Sequence, residues 1–235
     1  MPRPASIFSW LFILSLIACA PPEGQYFPLV DGTWRHYEIV TKILDETKKQ
    51  RRISGVVERA NTDRGAIFIL RQAPDVDAYL QRNSDGIFSI GTRDRHTLTE
   101  TWAQSPQKII PLTPKIGDTW TVESRLGLIE SRTFARQDRL RNRTIPVQLR
   151  YEVVAVGETV TVPAGSFDNC LLLQASGNVV VRTDRGNASA EVRVSRQDWY
   201  APGVGLVKSL RVEESESPFL KPGSYEQTLI ALGLD

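Results

Sequence analysis

Apolar and polar residues alternate with a period of two over short segments along most of this chain, and polar or turn-forming clusters separate them. Over Thr33–Val40, aromatic and β-branched residues predict a strand. Arg35, Tyr37, Ile39 and Ile43 share one face at this period, and the other face is mixed. Polar Asp45–Gln50 reads as a hairpin tip, and Ile53–Arg59 as the returning strand. Further strands are expected at Ala66–Arg71, Ala78–Arg82, Gly86–Thr92, Thr119–Ser124, Ile129–Arg136, Ile145–Val156 and Glu158–Val162. The pattern continues at Phe167–Ala175, Val179–Thr183, Ala190–Tyr200, Leu206–Glu213 and Tyr225–Ala231. The intervening Asn, Asp, Gly and Pro residues supply turn chemistry. No long segment carries a 3.6-residue apolar period, and the best place for a short helix is His96–Gln104. The expected fold is mainly β, with antiparallel sheets forming a curved half-barrel or sandwich and little helix.

The first residues break this pattern. Arg3 precedes a nearly uninterrupted apolar run, Ile7–Ala18, and then Cys19, Ala20, Pro21 and Pro22. A charged start, a short apolar core and small residues before a cut site make a secretory signal peptide. The run is shorter than the ~20 residues of a membrane-spanning helix. With cysteine at the cut site, Leu16-Ile17-Ala18-Cys19 resembles the lipobox of bacterial lipoproteins. The resemblance implies removal of residues 1–18 and attachment of lipid to Cys19. Residues 19–26 then form a tether, in which Pro21-Pro22-Glu23-Gly24-Gln25 is non-helical and five or six residues reach about 20 Å. Residues 27–235 are read as one β-rich domain, with 27–110 and 111–235 as its two halves. Ala20 after the cysteine, where Asp favours inner-membrane retention in such proteins, implies the outer membrane, facing the periplasm.

Charge and cysteine content narrow the partners. The chain has 29 Lys+Arg against 27 Asp+Glu, a balance that argues against a nucleic-acid partner. Of two cysteines, acylation would consume Cys19, leaving Cys170 without a disulfide partner. Cys170 stands before Leu171-Leu172-Leu173 and is expected to be buried.

No residue set predicts catalysis. The two histidines, His36 and His96, lack the spacing of a zinc site, and no nucleophile elbow or phosphate-binding loop occurs. No metal or cofactor is expected. Glu213-Glu214 and Asp75/Asp77 stand in polar contexts and read as solvated pairs. Arg139, Arg141 and Arg143 alternate, so on a strand they share a face. That face suits either a solvated edge that blocks aggregation or a ledge for anionic lipid headgroups.

Three motifs read as turns or strand entries. Val162-Pro163-Ala164-Gly165-Ser166-Phe167 and Trp199-Tyr200-Ala201-Pro202-Gly203-Val204-Gly205-Leu206-Val207-Lys208 each suggest a hairpin. Gly117-Asp118-Thr119-Trp120 opens a strand and echoes Gly32-Thr33-Trp34. Together the three resemble a broad group of exported, β-rich bacterial proteins of unknown function. Each conspicuous residue in them has a turn or packing role. The leading expectation is a non-enzymatic, lipid-anchored envelope protein that binds an apolar or amphipathic ligand within a curved sheet. The alternative is a structural or accessory subunit of an envelope protein complex.

Overall fold

The computed structural model describes residues 26–62, 65–73, 75–131, 145–182 and 189–234. Twelve strands form one antiparallel sheet, and no helix occurs among the described residues. One half of the sheet is a meander: β1 Thr33–Ile43, β2 Glu46–Thr62, β3 Gly65–Ala73, β4 Val76–Asn83, β5 Gly86–Asp94 and β6 Glu100–Ile110. The other contains β7 Thr119–Arg125, β9 Pro146–Val162, β10 Gly165–Arg182, β11 Ser189–Ala201, β12 Gly205–Glu214 and β14 Gly223–Leu234. The short strands β8 Glu130–Ser131 and β13 Leu220–Lys221 pair separately. Across the main sheet the order is β6-β5-β4-β3-β2-β1-β14-β12-β11-β10-β9-β7, so β1 and β14 join the halves.

The sheet curls until its two ends meet without a backbone ladder. Instead, the Trp120 indole N–H on β7 donates to the Lys108 carbonyl on β6 at 3.0 Å. The Glu123 backbone N–H donates to Gln107 Oε1 at 3.1 Å. The result is a nearly closed barrel with one side-chain seam, which selects the half-barrel form of the expected fold over the sandwich. Closure removes most of the exposed edge that an open sheet presents.

Alternation sorts the side chains. On β9, Val147, Leu149, Tyr151 and Val153 are buried while their neighbours are exposed, and Ala190, Val192 and Val194 repeat this on β11. With Leu171 and Leu173 they build the main apolar core. A smaller cluster of Ile67, Ile69, Tyr79 and Ile90 forms separately on β3–β5. There Trp102 of β6 stacks on Tyr79 with ring centroids 4.9 Å apart.

Several boundaries differ from the sequence reading. The hairpin tip is only Leu44-Asp45, with Leu44 at φ 56°, while Glu46–Gln50 belong to β2 and pair with Ile39–Ile43. His96–Gln104 is a turn followed by strand, not helix. Strand β6 lacks an apolar alternation because it is largely exposed, and its Pro106 suits an edge position. Ile145–Val156 and Glu158–Val162 merge into β9, because a β-bulge bends the strand between them without ending it. Phe167–Ala175 runs on through Ser176–Asn178 into Val179–Arg182 as β10, which pairs with β11 without a break from Leu171 to Arg182. Of the segment expected at Ile129–Arg136, residues up to Ser131 are described, and Glu130–Ser131 form β8.

Candidate functional site

Inside the barrel lies a cavity of about 690 Å³. Part of its wall is apolar, from Phe27, Leu70, Ile109, Val122, Leu128 and Leu206. The rest is polar, and it follows from strand register. Arg196 of β11 faces Arg211 of β12, which faces Tyr225 of β14. One step along, Asp198 faces Ser209, and Ser209 faces Gln227. Tyr37 of β1 faces Arg52 of β2, and Arg35 faces Ser54.

Two of these arginines are neutralised by a carboxylate two positions along the same strand face. The Arg196 Nε donates to both oxygens of Asp198, at 3.0 and 2.8 Å. Burial works against the Arg196 charge, but Asp198 and the neighbouring tyrosines outweigh it and hold the guanidinium protonated beyond its ordinary range. Arg211 Nε donates to Glu213 at 2.9 Å, and its other nitrogens donate to Ser124 Oγ and the Arg125 carbonyl.

Glu213 is fully buried. Its Oε2 accepts the backbone N–H groups of Gly127, Leu128 and Ile129 at 3.0, 2.8 and 3.0 Å. The carboxylate therefore pins the Leu126–Ile129 loop across the barrel. The sequence reading of Glu213-Glu214 and Asp75/Asp77 as solvated pairs is corrected here. Alternation sends Glu213 inward and leaves the Glu214 side chain 55% exposed. Asp77 is likewise buried between Arg71 and Arg93, while Asp75 is exposed beside His96.

Tyrosines supply neutral polar groups. The Tyr37 hydroxyl donates to the Leu206 carbonyl at 2.8 Å. Burial pushes the phenol pKa of Tyr37, Tyr151 and Tyr200 upward, so each stays protonated at neutral pH. The N-terminal segment completes the wall: Tyr26 is buried, its hydroxyl donates to the Asn169 carbonyl, and Phe27 packs against Tyr200. Among the described residues, no cluster of three or more metal-ligating side chains forms.

One of the three motifs, Trp199–Lys208, lines this interior. Ala201 pairs with Gly205 across a Pro202–Val204 turn, and Gly203 and Gly205 have φ 71° and 95°. The Val204 carbonyl in that turn accepts the Arg35 Nε. Asp198 and Tyr200 precede the same turn. Pro163-Ala164 forms the other turn, between paired Val162 and Gly165. Gly32 and Gly117 both have positive φ, as strand entries, but Trp34 packs on Gly55 whereas Trp120 stacks on Tyr151. Cys170 is fully buried, and burial pushes its thiol pKa up, which disfavours the reactive thiolate. The expected lipidation site Cys19 and the arginines Arg139, Arg141 and Arg143 lie outside the described residues.

Sequence reasoning assigned none of the cavity charges a role. Their available signal was an Arg-x-acid spacing, at Arg196/Asp198 and Arg211/Glu213, which on a strand puts both members of each pair on one face.

The chain matches no protein-family profile, and no curated protein matches it. Two solved structures are similar in fold. One is a candidate lipoprotein from Parabacteroides distasonis, at 17% identity and TM-score 0.40, covering 88% of this chain and 97% of that one. The other is a candidate exported protein with a YmcC-like fold from Bacteroides fragilis, at 15% identity and TM-score 0.38, covering 91% of this chain and 99% of that one.

Proposed function

We propose that this chain is a non-enzymatic, lipid-anchored protein of the bacterial envelope that holds an amphipathic ligand inside its barrel. The observation that carries this reading is the cavity itself, with an apolar wall and a charged wall around about 690 Å³. That size lies in the range of small-molecule sites. A wholly apolar ligand would leave the buried charges without the solvent they face, whereas an amphipathic one matches both walls.

The leader supports the location. Lipid on Cys19 would tie the chain to a membrane, at the outer membrane if Ala20 directs sorting. Phe27 and Pro28 line the cavity only a few residues after Cys19. At ~3.3 Å per residue, this places the cavity wall within roughly 30 Å of the anchor along the chain. A ligand drawn from the bilayer has a short path. The Cys19→Ser variant is expected to incorporate no radioactive palmitate in the native host, where the parent protein does; equal labelling of both would remove the anchor from this reading.

Ligand binding is tested with the full protein in nanodiscs of zwitterionic lipid and a diazirine-bearing palmitate. After irradiation, peptide mapping is expected to find the label on the cavity-lining segments that contain Leu70, Ile109 and Leu206. Label confined to outward-facing side chains would overturn interior binding.

A further inference from the structure

We infer that Arg35 and Arg52 form an oxyanion subsite that receives the acidic headgroup, carboxylate or phosphate, of the ligand held in the barrel; this rests on the interior-binding reading above.

Arg35, Arg52, Arg196 and Arg211 are among the residues that line the cavity. Arg196 and Arg211 are each matched by a carboxylate at 2.8 Å. Among the described residues, Arg35 and Arg52 form no ion pair. Arg35 is 5% exposed. Its Nε donates to the Val204 carbonyl and its Nη2 reaches the Pro28 carbonyl at 3.4 Å, both neutral acceptors. Those two bonds use two of the five guanidinium hydrogens. Burial lowers the Arg35 pKa, the expected response of a cation removed from water without an opposing charge. A buried cation without a counter-ion is unfavourable, and a bound oxyanion relieves it.

The fold keeps this group in position. A Cβ on Gly205 would lie 3.3 Å from the Arg35 Nε and 3.7 Å from its Cζ, so the glycine provides the room in which the guanidinium lies. The turn that accepts the Nε also orients the planar fork. Arg52 stands across from Tyr37, diagonal to Arg35 on the same face of the β1–β2 ladder. Such diagonal neighbours are about 7–8 Å apart, a separation from which two long arginines can converge on one small anion. Burial raises the Tyr225 pKa, and the charge of Arg52 beside it works against that by favouring the ionised phenol; the Tyr225 hydroxyl donates to Gln227 Oε1. Guanidinium forks match carboxylate and phosphate oxygens with paired hydrogen bonds. The apolar wall near this subsite, from Phe27 and Leu206, is suited to the hydrocarbon next to the headgroup.

The test compares two diazirine probes, palmitate and palmityl alcohol, on the full protein in zwitterionic nanodiscs. Interior labelling by the acid is expected to exceed that by the alcohol by about tenfold or more, as for a charge-assisted contact. The preference should fall close to unity in Arg35→Gln and in Arg52→Gln, and Arg35→Lys should restore part of it. Because Arg35 also holds the Val204 turn, Arg52→Gln is the variant that leaves that turn intact, and circular dichroism confirms that each variant is folded. Equal interior labelling by both probes in the parent protein, or an acid preference that persists in folded Arg52→Gln, would overturn the subsite and leave interior binding standing. Absence of interior labelling by either probe would overturn both. Inorganic phosphate that displaces the acid probe as effectively as unlabelled palmitate does would assign the subsite to a free oxyanion and overturn the headgroup assignment.

Discussion

Glu213→Ala is expected to lower the unfolding free energy by about 3–5 kcal/mol, the range for removing one partner of a buried, hydrogen-bonded charge pair. The carboxylate is fully buried, and it accepts three consecutive backbone N–H groups of the Leu126–Ile129 loop together with the Arg211 guanidinium. Alanine removes every one of these acceptors at once. The three amides and the guanidinium, whose side chain is 11% exposed, then lose their shared partner. Leu126, Leu128 and Ile129 are buried by the same loop, so its release also exposes apolar surface. Glu213→Gln keeps the shape and one carbonyl oxygen but turns an N–H₂ group toward donors, and an intermediate loss is expected. Urea unfolding followed by tryptophan fluorescence measures both variants. A loss below about 1 kcal/mol for alanine, the scale of one ordinary hydrogen bond, would show that the loop is held by other means.

Gly223→Ala is expected to cost about 3 kcal/mol, at the upper end of the usual overpacking penalty. An added Cβ would lie 2.0 Å from the Leu128 carbonyl oxygen and 2.5 Å from its carbon. Both atoms are backbone, in the loop that Glu213 pins, so no side chain can rotate out of the way. The φ of Gly223 is not in the left-handed region, which makes contact, not backbone strain, the cause. Gly223 also pairs directly with Glu213 in the β12–β14 ladder. A loop already released by Glu213→Ala can move away from the new methyl group. The double variant should therefore lose less than the sum of the two single losses. Additive losses in a double-mutant cycle would mean that the two residues act on separate parts of the structure.

These two positions show where sequence reading stops. Glu213-Glu214 is an acidic pair among polar residues, and nothing local distinguishes its members. Strand alternation guarantees only that they face opposite ways. Which one becomes the buried anchor depends on Gly127–Ile129, more than eighty residues away, and on a loop crossing that no period encodes. The Arg35 face shows the complementary case. Arg35, Tyr37 and Ile39 were assigned a common face from their spacing alone, and that face is the buried one. That the arginine at the head of it is covered could not be read from this spacing, because the Val204 turn whose carbonyl it meets lies far along the chain. Strand β6 escaped notice for a third reason: an exposed edge needs no apolar alternation, so none was present to be read.

Hairpins, bulges and strands arise from neighbours in the chain, and their chemistry is written in short stretches. Alternation marked most strands, glycine and proline marked the Val162–Gly165 and Ala201–Gly205 turns, and the run of leucines marked Cys170 as buried. The closing of the sheet at the Trp120–Lys108 seam, the pairing of two arginines with acids and the isolation of two others, and the cavity between them came from folding alone. The reason is physical: a side chain's charge partner, its access to water and the space before it are set by residues distant in sequence, and the period of one strand carries no record of them.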